Sequence, residues 1–260
     1  MSGHHHHGLS VEDALALLAT KVSPLPSEEV ALDLALGRVL AEAVSSDVDV
    51  PGFARACMDG FALRAADTFG ASSYEPVSLA VQGTILPGAP PPPLGAGQAA
   101  RIMTGAPLPE GADAVVPVEV VVERGSSLRL VAALAPGKHV ARRGEEVRRG
   151  EALLAPGRRL RPADLGLLAS VGRARVRVHR RPRVAVLSSG DELVAPGTPL
   201  GDGRPSTYDA NGALLRACAR AMGLEPRDLG AAPDRREALE AAFASSDDDV
   251  VLSSGATSAG

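Results

Sequence analysis

Arg183-Val184-Ala185-Val186-Leu187-Ser188-Ser189-Gly190-Asp191-Glu192 is the stretch that decides the fold of this chain. Its apolar first half has the length of a buried strand, and its second half is small, polar and contains glycine. Helices predicted over 209–222 and 235–245 alternate with strands predicted over 227–230 and 250–253. Strand and helix in alternation predict a parallel, doubly wound α/β sheet.

Two strand ends in this predicted sheet carry small polar residues, namely Ser188–Glu192 and Ser253–Ser258. Parallel sheets bind ligands outside the carboxyl ends of their strands, and N–H and hydroxyl groups beside glycine suit a tetrahedral oxyanion. Asp191 and Glu192 could hold a divalent cation beside that anion, since hard cations take carboxylate oxygens. Ordinary strand-to-helix turns contain the same residue types, so the local sequence leaves anion binding and a plain turn equally open.

The chain before this predicted sheet is β-rich in its middle. Between residues 53 and 143, short apolar runs alternate with many glycines and prolines, which is typical of a β domain. The strands predicted there cover 77–81, 101–103, 114–118, 120–122 and 128–131. The flanking parts predict helices over 10–21 and 161–170, a strand over 30–34, an apolar segment over 39–44, a linker over 47–52 and a half-exposed strand over 173–178.

Composition excludes several classes of protein. Of 260 residues, 45% are hydrophobic and 22% charged, and the formal net charge of −4 argues against a nucleic-acid partner. No apolar run has the length of a membrane span, and a chain with four Phe, two Tyr and no Trp offers few stacking platforms. Cys57 and Cys218 lie far apart, which predicts neither a disulfide framework nor a zinc site and favours the reducing cytoplasm.

Other polar residues have bland local contexts. Asp59 precedes a glycine, as turn residues often do, and Thr104 lies in a loop with two prolines that suits a plain connection. Glu146 lies among arginines and indicates a solvated charge cluster. Cys57 is expected to pack in a small core. His139 and His179 are expected to be surface or satisfied histidines, because neither has a ligand at metal-binding spacing.

Taken together, five segments resemble the molybdopterin molybdenumtransferase family, the molybdenum-insertion enzymes related to the E domain of gephyrin. The match runs in order along nearly the whole chain from Leu9 to Gly260. The segments are Ala35–Glu42, Met58–Ala62, Arg101–Asp113 with its Met-Thr-Gly-Ala-Pro-Leu-Pro core, Arg181–Leu193 and Tyr208–Asn211.

The resemblance implies a multidomain fold of α/β and β domains. Residues 9–26 and 180–260 would form an incomplete doubly wound molybdopterin-binding domain with the N-terminal helix packed on it, and 27–49 with 144–179 a small discontinuous α/β domain. Residues 50–143 would form an inserted β-rich domain, and residues 1–8, with His4–His7, a tag or leader. The family's C-terminal β domain is absent, so we expect a truncated chain with weak or no activity.

The resemblance also implies a chemistry. A cytoplasmic homodimer would take adenylylated molybdopterin and molybdate, with Mg²⁺, and release molybdenum cofactor and AMP, next to an upstream molybdopterin adenylyltransferase. Asp59 and Thr104 would come from the partner subunit, and Glu192 and Asp234 would contact Mg²⁺. The implied catalytic set is Asp59, Thr104, Glu146, Glu192 and Asp234, and the implied pterin and phosphate contacts are Ser188, Ser189, Gly190, Asp191, Ser253, Ser254, Gly255, Thr257 and Ser258.

Three departures from the family pattern leave alternatives open. Arg55-Ala56-Cys57 stands where the family usually has a polar stretch that contains Asn-Ser, and Glu146 stands where Asp is more common. Ala256 stands in place of a glycine, which would let a phosphate approach the backbone closely. A non-catalytic scaffold of the same fold is one alternative. A molybdopterin adenylyltransferase is another, although that enzyme resembles only the doubly wound domain.

Overall fold

The computed structural model describes residues 9–200 and 205–255. They form two compact units, each drawn from separate parts of the chain. Of the described residues, unit 1 takes those that lie within Met1–Glu42, Gly157–Arg161 and Arg175–Gly260, and unit 2 takes those within Ala43–Pro156 and Pro162–Ala174. The division into three domains stays a prediction. No helix within the described ranges is long and apolar enough to cross a bilayer.

The regular elements are numbered along the chain. The helices are α1 (Val11–Lys21), α2 (Pro162–Ser170), α3 (Ala210–Ala221) and α4 (Arg236–Ala244). The strands are β1 (Ser27–Ala31), β2 (Val44–Ser45), β3 (Arg55–Ala56), β4 (Gly60–Leu63), β5 (Val77–Ile85), β6 (Gln98–Ile102), β7 (Ala114–Pro117), β8 (Val122–Arg124), β9 (Ser127–Leu130), β10 (Val140–Ala141), β11 (Ala152–Leu154), β12 (Arg175–His179), β13 (Val184–Ser189), β14 (Leu193–Val194), β15 (Thr207–Tyr208), β16 (Arg227–Ala232) and β17 (Val250–Ser254).

Unit 1 contains a three-stranded parallel sheet in the order β16-β13-β17. All six residues of β13 are buried, as expected for the central strand of a parallel sheet. The chain passes from β13 to β16 through α3 and then back across β13 to β17 through α4. Crossovers between parallel strands are right-handed in nearly all proteins, so two crossovers in opposite directions imply helices on opposite faces of the sheet. The doubly wound arrangement predicted from the sequence is therefore confirmed.

The long helices are also confirmed. Helix α1 begins where the sequence predicts, because the Ser10 hydroxyl accepts a hydrogen bond from the Asp13 N–H at 3.1 Å. In the described residues none of the α1 side chains is buried, so the predicted packing of this helix on the doubly wound domain stays a prediction.

A second sheet of unit 1 pairs β1 with β12, antiparallel, with Ser27 opposite His179. The predicted half-exposed strand at 173–178 is confirmed, but the predicted strand at 30–34 is wrong. Ala31 already pairs with Arg175, the first residue of β12, so the ladder has no partner for the following residues. Leu32–Leu34 forms a 3-10 turn instead.

Arg38 fastens this second sheet. Its guanidinium is buried, forms an ion pair with Glu28 of β1 and donates to the His179 carbonyl of β12 at 2.9 Å. One side chain thus ties both strands together, which gives the segment Ala35–Glu42 a structural role.

Unit 2 contains a six-stranded sheet in the order β7-β4-β6-β5-β9-β8. Strand β4 is buried along its length, with Phe61 and Leu63 in one apolar cluster and Ala62 in another. The predicted β-rich region is confirmed. Sequence patterns missed β4, because the Asp-Gly pair before it is a turn signal.

Two further predictions in unit 2 are wrong. The strand expected at 120–122 begins only at Val122, which pairs with Arg129, while Val118–Val120 forms a 3-10 turn. The stretch expected to be a linker at 47–52 is held in place, since the Val50 N–H donates to the Val147 carbonyl at 2.7 Å.

Gly60 starts β4 because no side chain fits there. A Cβ on Gly60 would lie 2.8 Å from the carbonyl carbon of Val116 on the neighbouring strand, far inside normal contact. We predict that Gly60→Ala lowers the free energy of unfolding by about 2–4 kcal/mol, because backbone must shift to admit the methyl group.

Gly166 provides the matched control for this substitution. It lies in α2 with open space around the position of a Cβ, so Gly166→Ala should stabilise by about 0.5–1 kcal/mol. Urea unfolding of both variants tests the pair of predictions. Equal midpoints would contradict the steric explanation.

Candidate functional site

Asp59 and Thr104 meet at one end of the unit 2 sheet. Asp59 precedes β4 and Thr104 follows β6, and these antiparallel neighbours pair Gly60 with Ile102. The residues flanking that pair therefore lie side by side. Asp59 Oδ1 accepts hydrogen bonds from both the N–H and the Oγ1 of Thr104, each at 2.7 Å. Two residues of the implied catalytic set are thus in direct contact.

These two hydrogen bonds stabilise the charged form of the Asp59 carboxylate. They lower the pKa of Asp59, with the Thr104 hydroxyl as the larger cause and the Thr104 N–H as the second. Asp59 is therefore an exposed carboxylate at neutral pH, with Oδ2 free of these bonds to Thr104. The arrangement supplies an oriented hydrogen-bond acceptor or base, and it does not supply an acid.

Glu146 also lies in unit 2, paired with Arg55. Arg55 Nη2 is 2.8 Å from Glu146 Oε1, and the two side chains are 39% and 55% exposed. Strand β3 carries Arg55 and pairs with β10, which directs the following loop with Glu146 back toward it. The sequence predicts a solvated charge cluster of Glu146 with its flanking arginines. In the structure, Glu146 pairs instead with Arg55, 91 residues away in sequence.

Arg55 is a residue that sequence reasoning passed over. Its signal was present, since Arg55 and Glu146 both depart from the resembled family's usual residues. Glu146 is longer than the Asp that is more common in the family, and it pairs with Arg55, which lies where the family usually has a polar stretch. Such a pair is expected when two residues in contact change together.

In unit 1, Ser188 lies at the end of β13 and is only 1% exposed. Its hydroxyl donates to Asp209 Oδ2 at 2.7 Å, and Asp209 Oδ1 accepts from the Gly212 N–H at 2.8 Å. Asp209 therefore caps α3 and satisfies a buried serine together. Sequence reasoning gave Asp209 no role, although an aspartate before a predicted helix is a capping signal.

Ser189 forms the second hydroxyl–carboxylate pair, donating from Oγ to Asp234 Oδ1. The hydroxyl hydrogens of Ser188 and Ser189 thus both point to carboxylates. Neither hydrogen is available to an oxyanion in this arrangement. Anion contact at this strand end would then involve a cation held by the carboxylates or other donors of the loops.

Glu192 folds back over Gly190. A Cβ on Gly190 would lie 2.9 Å from both carboxylate oxygens of Glu192, so glycine leaves room for this close approach. Glu192 and Asp234 therefore border the same Ser189-Gly190 turn. Two carboxylates at one strand end suit Mg²⁺, which commonly takes one or two protein carboxylates and completes its octahedron with phosphate and water oxygens.

Within the described ranges, no group of three or more His, Cys, Asp or Glu side chains could hold a metal by itself. Asp191 is exposed beside this turn. A magnesium site here would thus depend on ligand oxygens from the substrate.

The end of β17 lies against the same turn. Ser254 pairs with Ser188, and a Cβ on Gly255 would lie 3.3 Å from the carbonyl carbon of Ser189, where Gly255 has φ +102°. Ser253 is exposed and Ser254 half-buried. The other implied contacts, Thr257 and Ser258, and the departure at Ala256 lie outside the described residues.

Two remaining predictions have opposite outcomes. Cys57 is exposed, so its expected packing in a small core is wrong. The buried neighbour is Ala56, and successive residues of an extended segment face opposite sides. His179 is confirmed as a satisfied histidine, with Nδ1 2.6 Å from the Leu25 carbonyl oxygen.

Comparisons with known families agree with this fold. Residues 185–260 match the model described as a probable molybdopterin binding domain, which defines the class of the doubly wound part. Residues 9–172 match the model of the MoeA N-terminal region, domains I and II. The chain therefore belongs to the MoeA family, as the sequence segments indicated.

Individual relatives give the same result. The chain is 37% identical to the molybdopterin molybdenumtransferase of Haemophilus influenzae over 91% of its length, and 38% identical to molybdopterin molybdenumtransferase 2 of Mycobacterium tuberculosis over 96%. It spans 58% and 62% of the length of these two relatives.

A solved molybdopterin biosynthesis MoeA protein from Pyrococcus horikoshii OT3 superposes with a TM-score of 0.85 at 34% identity, covering 94% of this chain and 66% of that one. A second solved molybdopterin biosynthesis MoeA protein, from Pyrococcus horikosii, superposes with a TM-score of 0.80 at 39% identity, covering 95% of this chain and 63% of that one. The mixed α/β and β architecture is shared with both.

The Asp59–Thr104 contact makes a spectroscopic prediction. Thr104→Val removes the hydroxyl and keeps the backbone N–H, so the pKa of Asp59 should rise toward its usual value while remaining below it. Thr104→Ser should leave that pKa low, because it restores the hydroxyl. Carboxyl ¹³C NMR titration measures the change below neutral pH. An Asp59 pKa identical in all three proteins would refute the role of the hydroxyl.

Proposed function

We propose that this protein inserts molybdenum from molybdate into adenylylated molybdopterin, releasing molybdenum cofactor and AMP with Mg²⁺. Membership of the MoeA family and the names of the relatives support the reaction class. The observation that carries the proposal is the pairing of Ser189 with Asp234 at the end of β13, beside Glu192. That is where a parallel sheet binds its ligand.

The strand-end residues would handle the adenylylated part of the substrate. Asp234 and Glu192 would hold Mg²⁺, and the ion would supply positive charge beside the leaving phosphate when bound. Ser189 acts as a positioning residue, since its hydroxyl fixes one oxygen of Asp234. The turn formed by Ser188–Asp191 and the loop containing Ser253, Ser254, Gly255, Thr257 and Ser258 contact the pterin and phosphate groups.

Asp59 and Thr104 would act on the molybdenum side of the reaction. Asp59 is ionised, so it accepts a proton or hydrogen bond at Oδ2 and repels a bare dianion unless a proton or cation lies between them. Thr104 keeps that carboxylate in one orientation. Glu146, held by Arg55, is the second acidic residue of this group, after Asp59.

The cellular setting belongs to the same proposal. The protein works as a cytoplasmic homodimer in which a partner copy supplies Asp59 and Thr104. An upstream molybdopterin adenylyltransferase supplies the substrate, since the adenylylated pterin must come from a nucleotidyl transfer.

The role of Asp59 is tested by Asp59→Asn in the full-length protein. We expect the rate of cofactor formation to fall by about 100-fold or more, because the amide keeps the shape but loses the charge and the basic oxygen. AMP release and activation of a cofactor-free molybdoenzyme measure the rate. Asp33→Asn, at an exposed position of unit 1, is the charge-matched control. Full turnover by Asp59→Asn would eliminate the assignment.

The magnesium assignment has its own measurement. Asp234→Asn should raise the Mg²⁺ concentration needed for half-maximal turnover by about tenfold or more, and Ser189→Ala should raise it by a smaller factor. Chelation of Mg²⁺ should stop the reaction in the parent protein. An unchanged Mg²⁺ requirement in Asp234→Asn would show that this carboxylate does not bind the ion.

A further inference from the structure

Unit 2 contains a polar pocket of about 370 Å³ outside the residues discussed so far. Its wall is formed by Arg142, Arg143, Arg148, Glu145 and the glycines Gly137 and Gly144. Three arginines and one glutamate give this wall a formal charge of plus two. Such a wall favours an anionic ligand.

Backbone hydrogen bonds hold the wall in place. The Gly144 N–H donates to the Pro51 carbonyl at 2.9 Å, and the Gly137 N–H donates to the Asp113 carbonyl at 2.7 Å. Val140 precedes the arginines in β10 and pairs with Ala56. The connection between β10 and β11, which carries the arginines, is therefore anchored by backbone hydrogen bonds.

One of the three guanidinium groups already has an acidic partner. Arg143 Nε donates to Asp49 Oδ2 at 2.8 Å, and the Arg149 N–H donates to Asp49 Oδ1 at 2.9 Å. These contacts lower the pKa of Asp49, with the Arg149 N–H as the largest cause. Asp49 thus stays anionic and balances Arg143.

The other two guanidinium groups have no acidic partner in the described parts of the chain. The backbone N–H of Arg142 donates to Glu145 Oε2 at 2.6 Å, so Glu145 pairs with the backbone of Arg142 and not with the Arg142 guanidinium. Arg148 has no ion pair within those ranges. Gly137, at φ +79°, keeps the space beside Arg142 open, because a Cβ would lie 3.2 Å from Arg142 Nη2. The positive charges of this wall outnumber the negative ones and repel each other, and a bound anion lowers that repulsion.

We propose that this pocket binds a tetrahedral dianion, of the class that includes phosphate, sulfate and molybdate, between Arg142 and Arg148. The planar guanidinium fork matches two oxygens of such an ion, and two forks can take all four. Val140 is the one apolar side chain among the lining residues, so the wall offers little surface to an apolar ligand. The site is distinct from the Asp59–Thr104 contact, and its existence does not depend on the proposed reaction.

Arginine side-chain NMR tests the site on the 260-residue chain. Titration with sodium phosphate, sulfate or molybdate at low ionic strength should shift the Arg142 and Arg148 guanidinium signals to saturation. The double variant Arg142→Gln/Arg148→Gln should weaken binding by about tenfold or more. Added NaCl should weaken binding in the parent protein, since exposed charges are screened.

Arg124→Gln/Arg129→Gln is the matched control. Both control residues are exposed in unit 2 and lie outside the pocket, so this variant removes the same charge from another place. Equal affinity for the three ions supports a general dianion site. Preference for molybdate by about tenfold supports a site that also collects the substrate of the proposed reaction.

Two results would overturn the proposal. One is the lack of saturable shifts with any of the three ions at concentrations up to about 20 mM. The other is an equal loss of affinity in the control variant, which would mean non-specific attraction. Because binding is read without turnover, failure here is distinguishable from failure of the proposed function.

Discussion

The two hydroxyl groups at the end of β13, the central strand of the parallel sheet in unit 1, must each have a hydrogen-bond partner. Ser188 is almost fully buried, and a buried hydroxyl without a partner costs about 1–3 kcal/mol. Asp209 meets this need and caps α3 with its other oxygen. Ser189 engages Asp234 in the same way, on the segment that leads into α4. The two hydroxyls at the end of β13 thereby fix the positions of two carboxylates, one before α3 and one before α4.

In unit 2, strand pairing brings the carboxylate of Asp59 to the hydroxyl of Thr104. Asp59 and Thr104 meet because β4 and β6 are antiparallel and pair Gly60 with Ile102. Strand β4 approaches β7 so closely at position 60 that only glycine fits there. Gly60 pairs with Ile102 of β6 and Pro117 of β7, so the register of these three strands is fixed directly beside Asp59. A carboxylate held by a neighbouring hydroxyl and N–H needs little reorganisation to meet a ligand, which is the usual benefit of a preorganised site.

The sequence predicts those parts of the fold that depend on local pattern. The helices α1 to α4 and the strands of the parallel sheet follow periodicity and capping, and all of them are present. The wrong strand at 30–34 shows the limit, since β1 ends where its partner begins. A strand's end is set by another segment that local patterns do not contain.

The site follows the same division. Resemblance to a family brought Asp59, Thr104 and Glu146 together as candidates, whereas their local contexts were bland. Their contacts span 45 and 91 residues and arise from strand pairing. Arg55 could be found only by noticing that two departures from the family pattern occur together. Asp209 was within reach of the sequence as a helix cap, but its bond to Ser188 required the fold.

The pairing of β1 with β12 also orders events during synthesis. Ser27–Ala31 leaves the ribosome long before Arg175–His179, and every segment of unit 2 is made between them. Unit 2 therefore has its whole chain available while β1 still lacks a partner, and domains generally fold as units as they emerge. The early strand must wait unpaired, with its edge open, until the late one arrives. Two consecutive exposed charges on that strand, Glu28 and Glu29, suit a segment that has to remain in water for that interval.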